Sequence, residues 1–390
     1  MNAPVILSAA RTAIGTSRKG TLARTRPEAL ARTVLEAVVA RSGVAPDQVD
    51  DVVMAESLYG GGAVARHAGV AAGLVTAGGM AVNRHCAGSL SALGVAAGAV
   101  LSGVERFVIA GGVSSLSSMP QMRMTDPVSG AVEDYWMPDT HPDSPEAPAK
   151  DMSITVGWNT AQAVGISREE MDAWALRSHQ RAVAAIDAGN FVAEIVPVDA
   201  VTADGGVVSF LVDEHPRRGA SMEQLGQLKV LHPEIEGFSI TAGNASGVND
   251  AAVALMVSTA DRAAAQGLDT AARILGWTAI GKDPRLTGLA AIDVIGKLLE
   301  RKGYTADQIA LWEINEAFAS VPIAACRLLG LDEERVNVSG SGCSLGHPIS
   351  ASGGRMITTL IHDLRRRGGG LGVAAMCAGG GQAGAVLIEV

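Results

Sequence analysis

Aromatic side chains and clustered basic charge are both scarce in this sequence. Aromatic residues make up 3% of the 390 residues, and the formal net charge is −9. No basic run is longer than Arg365-Arg366-Arg367, whereas binding to nucleic-acid phosphates needs a clustered positive surface. We therefore expect no nucleic-acid partner, and we expect these arginines to end a helix just before Gly368.

Cysteine is too rare for a disulfide framework in a chain of this length, which favours a reducing compartment. The four cysteines are Cys86, Cys326, Cys343 and Cys377. No basic region leads into a long apolar segment at the start, and no stretch of about 18 residues is strongly apolar without interruption. The last residues form no peroxisomal or retention address. We therefore expect a cytoplasmic protein with no membrane insertion.

Small and aliphatic residues are abundant. Hydrophobic residues make up 48% of the chain, and 47 residues are glycine. Such residues let helices and strands approach closely, as layered α/β folds require. The length allows two or three domains with large cores.

The segment from Met80 to Gly103 predicts a strand, a tight turn that contains Cys86, and a helix. The helix is apolar all round, so we expect neighbours to cover it on every side. Cys86 would then lie at the N-terminus of a buried helix, where the positive end of the helix dipole favours the nucleophilic thiolate. The alternative is a structural thiol, because free cysteine is among the most buried residue types.

The chain contains a duplicated unit. At a constant offset of 260 residues, Asp47-Gln48-Val49 aligns with Asp307-Gln308-Ile309, and Glu56 aligns with Glu316. Each copy alternates predicted strands and helices, which implies a mostly parallel sheet covered on both faces. Two such halves side by side would place equivalent loops around one shared cleft.

Two helices are indicated by their end signals. One begins at Pro27 and ends near Arg41, just before Gly43. The other covers 166–190, with Ser167 and Glu170 as a capping box. This second helix lies in 119–245, which we interpret as an inserted loop domain over the cleft, with 191–238 irregular.

Further polar groups occur in short patterns that suggest strand-end loops. His347 precedes a proline, Asn315 begins Asn-Glu-Ala-Phe, and Cys377 precedes three glycines whose N–H groups could bind an oxyanion. A cysteine and a histidine brought together could form a nucleophile and its base. The alternatives are a His-Pro turn and a core cysteine. Neither a Cys-x-x-Cys pair nor a two-histidine helical spacing supports a zinc site, so we predict no metal.

Six segments resemble the thiolase family in order and spacing over essentially the whole chain. They are VNRHCAGS, ISREEMDAWALRSHQRA, ITAGNASGVND, NEAFA, LGHPISASG and CAGGGQAG. The resemblance implies a five-layered αβαβα sandwich of two duplicated halves with an inserted loop domain. It places the first half at 1–118, completed by about 246–268, the loop domain at 119–245, and the second half at 269–390.

The resemblance also implies roles for the polar groups. Cys86 would be the acyl-accepting nucleophile, His347 the base that activates it, and Cys377 the acid and base at C2 of the acetyl unit. Asn315 would hold a water that makes one oxyanion hole with His347. The N–H groups of Cys86 and Gly379 would make the other.

Coenzyme A is implied as a substrate, with no tightly bound cofactor. Ser246 resembles the residue that contacts its pantetheine, and Arg217 and Leu228 fall where the family contacts the adenine side. The family also implies a homodimer or homotetramer.

The expected activity is that of an acetyl-CoA C-acyltransferase in fatty acid and lipid metabolism. It would cleave 3-ketoacyl-CoA with CoA to acyl-CoA and acetyl-CoA, or catalyse the reverse Claisen condensation. The alternatives are a thiolase-fold protein that binds acyl-CoA or lipid with little turnover, and a condensing enzyme with an unusual acyl chain or carrier. The family's GGMESMS and HMGxTAE patterns are altered at 111–117 and 151–157, so acyl-chain length stays open.

Overall fold

A computed structural model describes residues 3–57, 64–135 and 139–390. The strands are β1 (Pro4–Thr12), β2 (Gly15–Thr16), β3 (Asp51–Ala55), β4 (Met80–Val82), β5 (Val108–Ser115), β6 (Met122–Thr125), β7 (Val132–Tyr135), β8 (Ile195–Val196), β9 (Val198–Val201), β10 (Val207–Phe210), β11 (Asn249–Thr259), β12 (Ala272–Gly281), β13 (Leu311–Ile314), β14 (Leu371–Ala378) and β15 (Gln382–Glu389).

The helices alternate with these strands in both halves of the chain. They are α1 (Pro27–Ser42), α2 (Val64–Ala71), α3 (Gly88–Ser102), α4 (Asn159–Val164), α5 (Arg168–Asp187), α6 (Met222–Gly226), α7 (Ala260–Gln266), α8 (Ala290–Lys302), α9 (Ser320–Leu329), α10 (Gly342–Leu345) and α11 (Ile349–Arg366).

The two helices predicted from end signals are confirmed. Helix α1 begins with Pro27, and Gly43 follows it in the left-handed conformation at φ 73°. Helix α5 is capped by Ser167, whose side chain accepts a hydrogen bond from the Glu170 N–H while the Glu170 carboxylate accepts one from Ser167 N–H. The sequence was sufficient to predict this cap because its hydrogen bonds join residues only three positions apart.

The main sheet has the duplicated order that the repeat predicts. Its strands run β13-β14-β15-β12-β1-β11-β5-β3-β4, with β2 and β8 paired at its side. From the outside inwards, β13, β14, β15 and β12 repeat the arrangement of β3, β5, β11 and β1. The halves meet at β1 and β12 through the pairs Val5↔Arg273 and Ile6↔Ala272.

The expectation of a mostly parallel sheet was wrong, because each half contains both parallel and antiparallel strand pairs. Strand β3 runs parallel to β5 and β13 parallel to β14, but β11 and β15 pair antiparallel with their neighbours. Strand β15 follows β14 through a short turn in which Gly380 and Gly381 have φ of 78° and 74°. A turn this short reverses the direction of the chain, so the strands on either side of it can only pair antiparallel.

Five layers result. Helices α1 and α2 cover the outer face of the first half, and α8 covers the outer face of the second with α9 packed against it. Helices α3 and α11 contact each other and strands of both halves, so they form the middle layer. This arrangement confirms the predicted αβαβα sandwich.

Helix α3 is less enclosed than its apolar sequence suggested. Val95 is 41% exposed and Leu101 43% exposed, although most of its other side chains are buried. The preceding strand β4 lies at the sheet edge, and its Met80 is 40% exposed. Among the described residues, His85–Ser102 is long and apolar enough to span a membrane, but 56% of it is buried within the protein, as in a core helix.

Residues 191–238 are more regular than predicted. They contain β8, the hairpin of β9 and β10, and α6. These elements have two to five residues each, too few for a periodic pattern to be detected in the sequence. The domain boundaries at 118 and 245 stay a prediction.

Candidate active site

A cavity of about 230 Å³, which we call the catalytic cavity, brings together most of the predicted site residues. Cys86, Cys377, His347, Gly379 and Ser246 all line it. The rest of its wall is mainly apolar, made of Leu116, Met152, Val156, Val248, Ala317, Phe318, Ile349 and Ala378, together with Gly247. The cavity therefore combines two thiols and one imidazole in largely apolar surroundings.

Cys86 lies in a tight turn, His85–Ala87, between β4 and α3. His85 has a positive φ of 44°, a conformation that a side chain makes unfavourable. Two hydrogen bonds hold this turn: the His85 N–H donates to Asn83 Oδ1 at 2.9 Å, and Ser57 Oγ donates to the His85 carbonyl at 3.1 Å. Backbone strain of this kind often marks functional sites.

The expectation of a preformed Cys86 thiolate was wrong. Burial raises the pKa of the Cys86 thiol to about 11, although the N–H groups of Cys86 and Gly379 oppose the rise. Removing a thiolate from water costs more free energy here than the stabilisation of its charge by the two N–H groups and the N-terminus of α3. At neutral pH the thiol is therefore protonated, and attack on a carbonyl requires a base.

Cys377 and Asn315 lie at the carboxyl ends of neighbouring parallel strands. Strand β13 pairs with β14 up to Ile314↔Ala375, so the next residues of both strands emerge at one edge. Burial raises the pKa of Cys377, and the nearby Cys86 raises it further. The Cys377 thiol is therefore protonated at neutral pH, which is the state that a general acid requires.

His347 is oriented by a residue that the sequence analysis did not select. Ser352 Oγ lies 2.6 Å from His347 Nδ1, and Asn315 Nδ2 lies 3.4 Å from the same nitrogen. Burial, and secondarily the Arg355 charge, lower the pKa of His347 to about 4, so its imidazole is neutral at pH 7. Its Nε2 atom and Asn315 Oδ1 are buried without hydrogen-bond partners in the part of the chain that the structure describes.

The contact with Ser352 can select the tautomer of His347. If Nδ1–H donates to Ser352 Oγ, Nε2 is left as the free acceptor, which the base role requires. Ser352 lies five residues after His347, in the first turn of α11. An i, i+5 spacing across a proline and a helix start gives no recognisable sequence signal.

Replacing Ser352 with alanine should lower kcat because the productive tautomer of His347 loses its partner. We expect a loss of about tenfold, less than the 10²–10⁴-fold that a general base contributes, because the base is misplaced and not removed. Because the pKa of His347 is low, the wild type should keep its kcat/KM at pH values well below 6. In the variant, the pH at which kcat/KM falls on the acidic side should change. Ser352→Thr, which keeps the hydroxyl, should recover most activity. An unchanged kcat and pH profile in Ser352→Ala would contradict this role.

The predicted coenzyme A contacts are divided between two cavities. Ser246 lines the catalytic cavity, and its N–H donates to the Ala317 carbonyl at 2.9 Å. Arg217 and Leu228 line a neighbouring cavity of about 190 Å³ together with Gly243. Gly243 and Ser246 lie three residues apart, so the segment 243–246 contributes to the walls of both cavities.

Replacing Ser246 with leucine should crowd the predicted pantetheine site. The predicted contact with pantetheine would be made in both ground and transition states, so the apparent KM for coenzyme A substrates should rise more than kcat falls. Steady-state kinetics with varied CoA measures both quantities, and Ser246→Ala is the matched control because it shortens the side chain. Unchanged kinetics in Ser246→Leu would mean that the channel lies elsewhere.

Glu316, identified through the repeat, has a structural role in the second half. Its carboxylate accepts hydrogen bonds from Trp174 Nε1 at 2.9 Å, Ser178 Oγ at 2.6 Å and Asn337 Nδ2 at 2.8 Å. Two of these donors belong to α5, so Glu316 anchors the inserted segment beside Asn315. The corresponding Glu56 accepts from the backbone N–H groups of Val64 and Ala65 at the start of α2.

Metal ligation has no support in the described ranges, where no group of three or more His, Cys, Asp or Glu side chains is suitably placed. Cys343 and Cys326 lie outside the catalytic cavity, and Cys326 is buried in α9. Cys86, Cys377 and His347 are the reactive side chains that line the cavity.

Comparison with known proteins gives consistent matches over the whole chain. The model of the thiolase N-terminal domain matches residues 4–261, and that of the thiolase C-terminal domain matches residues 268–390. An Escherichia coli K12 acetyl-CoA acetyltransferase is 39% identical over 99% of this chain and 98% of its own length. A Pseudomonas aeruginosa acetyl-CoA acetyltransferase is 37% identical over 97% of both chains.

Solved structures of related proteins also match this chain. The Bacillus anthracis acetyl-CoA acetyltransferase superimposes with a TM-score of 0.92 at 37% identity, covering 100% of this chain and 99% of its own. The human mitochondrial 3-ketoacyl-CoA thiolase does so with a TM-score of 0.91 at 31% identity and the same coverage.

Proposed function

The chain belongs to the thiolase family, and from this premise we propose that it catalyses acyl transfer between 3-ketoacyl-CoA and CoA through an acyl-Cys86 intermediate. It is an acyltransferase that uses CoA thioesters as substrates and needs no tightly bound cofactor. The observation that carries the proposal is the convergence of Cys86, Cys377 and His347 on one cavity.

The first step transfers the acyl group to the enzyme. His347 Nε2 takes the Cys86 proton, and the sulfur attacks C3 of the 3-ketoacyl-CoA. The N–H groups of Cys86 and Gly379 are directed at this sulfur, so they would stabilise the oxyanion that forms next to it. The C2–C3 bond then breaks and releases the enolate of acetyl-CoA.

The second thiol completes the step. Cys377 donates its proton to C2 of the enolate, which leaves as acetyl-CoA, while Asn315 and His347 would hold the enolate oxygen through a water and an N–H. Free CoA then gives its thiol proton to Cys377 and attacks the thioester on Cys86, and the Cys86 sulfur takes back its proton from His347 as acyl-CoA leaves. A single thiol cannot be both the acyl carrier and the acid, so the mechanism needs both cysteines.

The direct test is cleavage of a panel of 3-ketoacyl-CoA thioesters of increasing chain length in the presence of CoA. Loss of the ketoacyl thioester and appearance of acetyl-CoA are the expected result. Binding without turnover on every chain length would instead support an acyl-CoA or lipid-binding protein. Condensation of two acetyl-CoA molecules, measured in the same reactions, tests the reverse direction. The concentrations of the thioesters and of free CoA determine which direction predominates.

We extend the proposal to a homo-oligomer. The edge strand β4 and the exposed apolar side chains of α3, Val95 and Leu101, lie on the first half of the fold. A second copy packed there would bury apolar surface that a monomer leaves in water. Sedimentation of the purified chain distinguishes a dimer from a tetramer.

We also propose a cytoplasmic location and a role in fatty acid metabolism. All four cysteines are free thiols, which suits a reducing compartment. Fractionation of the native host measures the location.

A further inference from the structure

The short segment 151–158 forms part of the wall of the catalytic cavity. Met152 and Val156 both line that cavity, and Ser153–Trp158 forms a π-helix. This type of helix is rare and frequently occurs at functional sites. We call 151–158 the wall segment, because an acyl group on Cys86 would share the cavity with two of its side chains.

The start of the wall segment is fixed by Asp151, whose two carboxylate oxygens both accept hydrogen bonds. Asp151 Oδ1 accepts from the Ser153 N–H at 2.9 Å and from Ser153 Oγ at 2.6 Å. Asp151 Oδ2 accepts from His232 Nε2 at 2.8 Å. One oxygen therefore caps the π-helix, while the other joins it to a residue that lies 81 positions further along the chain.

His232 lies between two carboxylates. Its Nε2 contacts Asp151, and its Nδ1 lies 2.7 Å from Glu234 Oε1. An ionised carboxylate only accepts hydrogen bonds, so both ring nitrogens donate and the ring is an imidazolium cation. The hydrogen bond to Glu234, and then the charge of Asp151, raise the pKa of His232, although burial opposes the rise. The neighbouring cation Lys150 is paired with Asp139 at 3.6 Å, so within the described ranges the charges that act on His232 come from Asp151 and Glu234.

Ring contacts hold the other end of the wall segment. The rings of Trp158 and Phe238 have centroids 5.2 Å apart, and the His232 ring meets Phe238 edge-on at 5.0 Å. The region 232–238 therefore contacts both ends of the wall segment, one end through charge and the other through apolar rings. Phe238 is 5% exposed, whereas the side chains of His232 and Asp151 are 23% and 35% exposed. The charged end is thus the one that exchanges protons with solvent.

We propose that Asp151 and His232 are positioning residues that select the length of the acyl chain by fixing Met152 in the wall of the catalytic cavity. The inference rests on the proposed function and concerns substrate selection at the same site. Neither Asp151 nor His232 is among the described residues that line the cavity, so both act through the placement of Met152. While the ion pair is intact the wall is fixed, which favours short acyl chains. When the pair is broken the wall can yield, and a longer chain gains room.

The test measures the ratio of kcat/KM for 3-ketohexanoyl-CoA to kcat/KM for acetoacetyl-CoA, because effects on the shared catalytic groups cancel in this ratio. Asp151→Asn removes the charge but keeps an oxygen for the Ser153 cap, and His232→Gln removes the cation but keeps a donor. Each variant should raise the ratio about two- to fivefold, as for an ion pair that is partly exposed to solvent. Glu389→Gln, which breaks an exposed pair with Arg273 between β12 and β15, is the matched control and should leave the ratio unchanged.

A variant with both substitutions tests whether the two residues act through one contact. Residues that act through a shared contact have effects that do not add. Asp151→Asn combined with His232→Gln should therefore raise the ratio no further than the larger of the two single substitutions. If the two effects multiply instead, the residues act separately and the ion pair is not the device.

The same ratio should depend on pH in the wild type. Because the pKa of His232 is raised, the ion pair is complete at pH values below the ordinary histidine pKa of about 6.5 and is lost as the pH rises through the raised value. The ratio should therefore be lowest near pH 6 and increase towards about pH 9. In Asp151→Asn it should be high and independent of pH, because titration of His232 no longer acts on the wall segment. A wild-type ratio that stays constant or falls with increasing pH would contradict the proposal.

An NMR titration of the histidine rings tests the contact without turnover, with His232→Gln to assign the signal. The pKa of His232 should lie above the ordinary histidine value and should fall in Asp151→Asn, and a pKa that Asp151→Asn leaves unchanged would overturn the inference. Cleavage of both thioesters with a ratio that neither variant changes would also overturn it and leave the thiolase activity intact. If no thioester is cleaved, the proposed function fails and the inference fails with it.

Discussion

Replacing Cys86 with serine should abolish both cleavage of 3-ketoacyl-CoA and formation of an acyl-enzyme. A serine hydroxyl is a much weaker acid than a thiol, and the burial that raises the pKa of Cys86 to about 11 would oppose its ionisation still more. Loss of a covalent nucleophile reduces turnover by more than about 10⁴-fold. Steady-state cleavage of 3-ketoacyl-CoA measures the loss.

Mass spectrometry after incubation with acetyl-CoA in the absence of free CoA locates the nucleophile. The wild type should gain one acetyl group on Cys86, and Cys86→Ser should gain none. Cys326→Ala is the control, because Cys326 is buried in α9 away from the cavity, and it should keep its acyl-enzyme and its turnover. An acetyl group on Cys377 or Cys343 in the wild type would overturn the assignment.

Replacing Cys377 with serine should separate the two halves of the reaction. Cys377 is the proposed acid for the leaving enolate, and the hydroxyl of serine is too weak an acid for this step. General acid catalysis is worth about 10²–10⁴-fold, so cleavage of 3-ketoacyl-CoA should fall by that factor. Transfer of an acetyl group from acetyl-CoA to Cys86 moves no proton at C2, so it should survive.

The two assays are run on the same preparations. Acetylation of Cys86 in Cys377→Ser shows that the nucleophile and the CoA channel are intact, so a loss of cleavage then reports the missing acid. Cleavage at a near wild-type rate in Cys377→Ser would rule out the mechanism with two cysteines for this protein.

The architecture and most of the site could be predicted from the sequence because both are encoded in short segments. The 260-residue repeat predicted two matching halves, and the strand order around β1 and β12 has this symmetry. The segments that contain Cys86, His347 and Cys377 could be recognised because small residues surround each of them where a strand ends or a helix begins. The roles of these residues remain predictions until the variants are measured.

The mixed direction of the strands could not be predicted in the same way. Alternating strands and helices suggested parallel pairing, but β11 returns to the sheet after the long insertion and β15 follows β14 through a turn of two glycines. Strand direction depends on how the chain returns between strands, and short apolar strands carry no signal for direction.

By itself, the sequence determined the repeat, the capped helices and the family, and it predicted the reactive groups, because these depend on residues that are neighbours in the chain. Only the tertiary structure decided how these groups behave. Enclosure by both halves raises the pKa of Cys86 despite the helix start, and Ser352 orients His347 within α11. Burial and distances between remote segments arise only when the whole chain packs, so no local pattern could contain them.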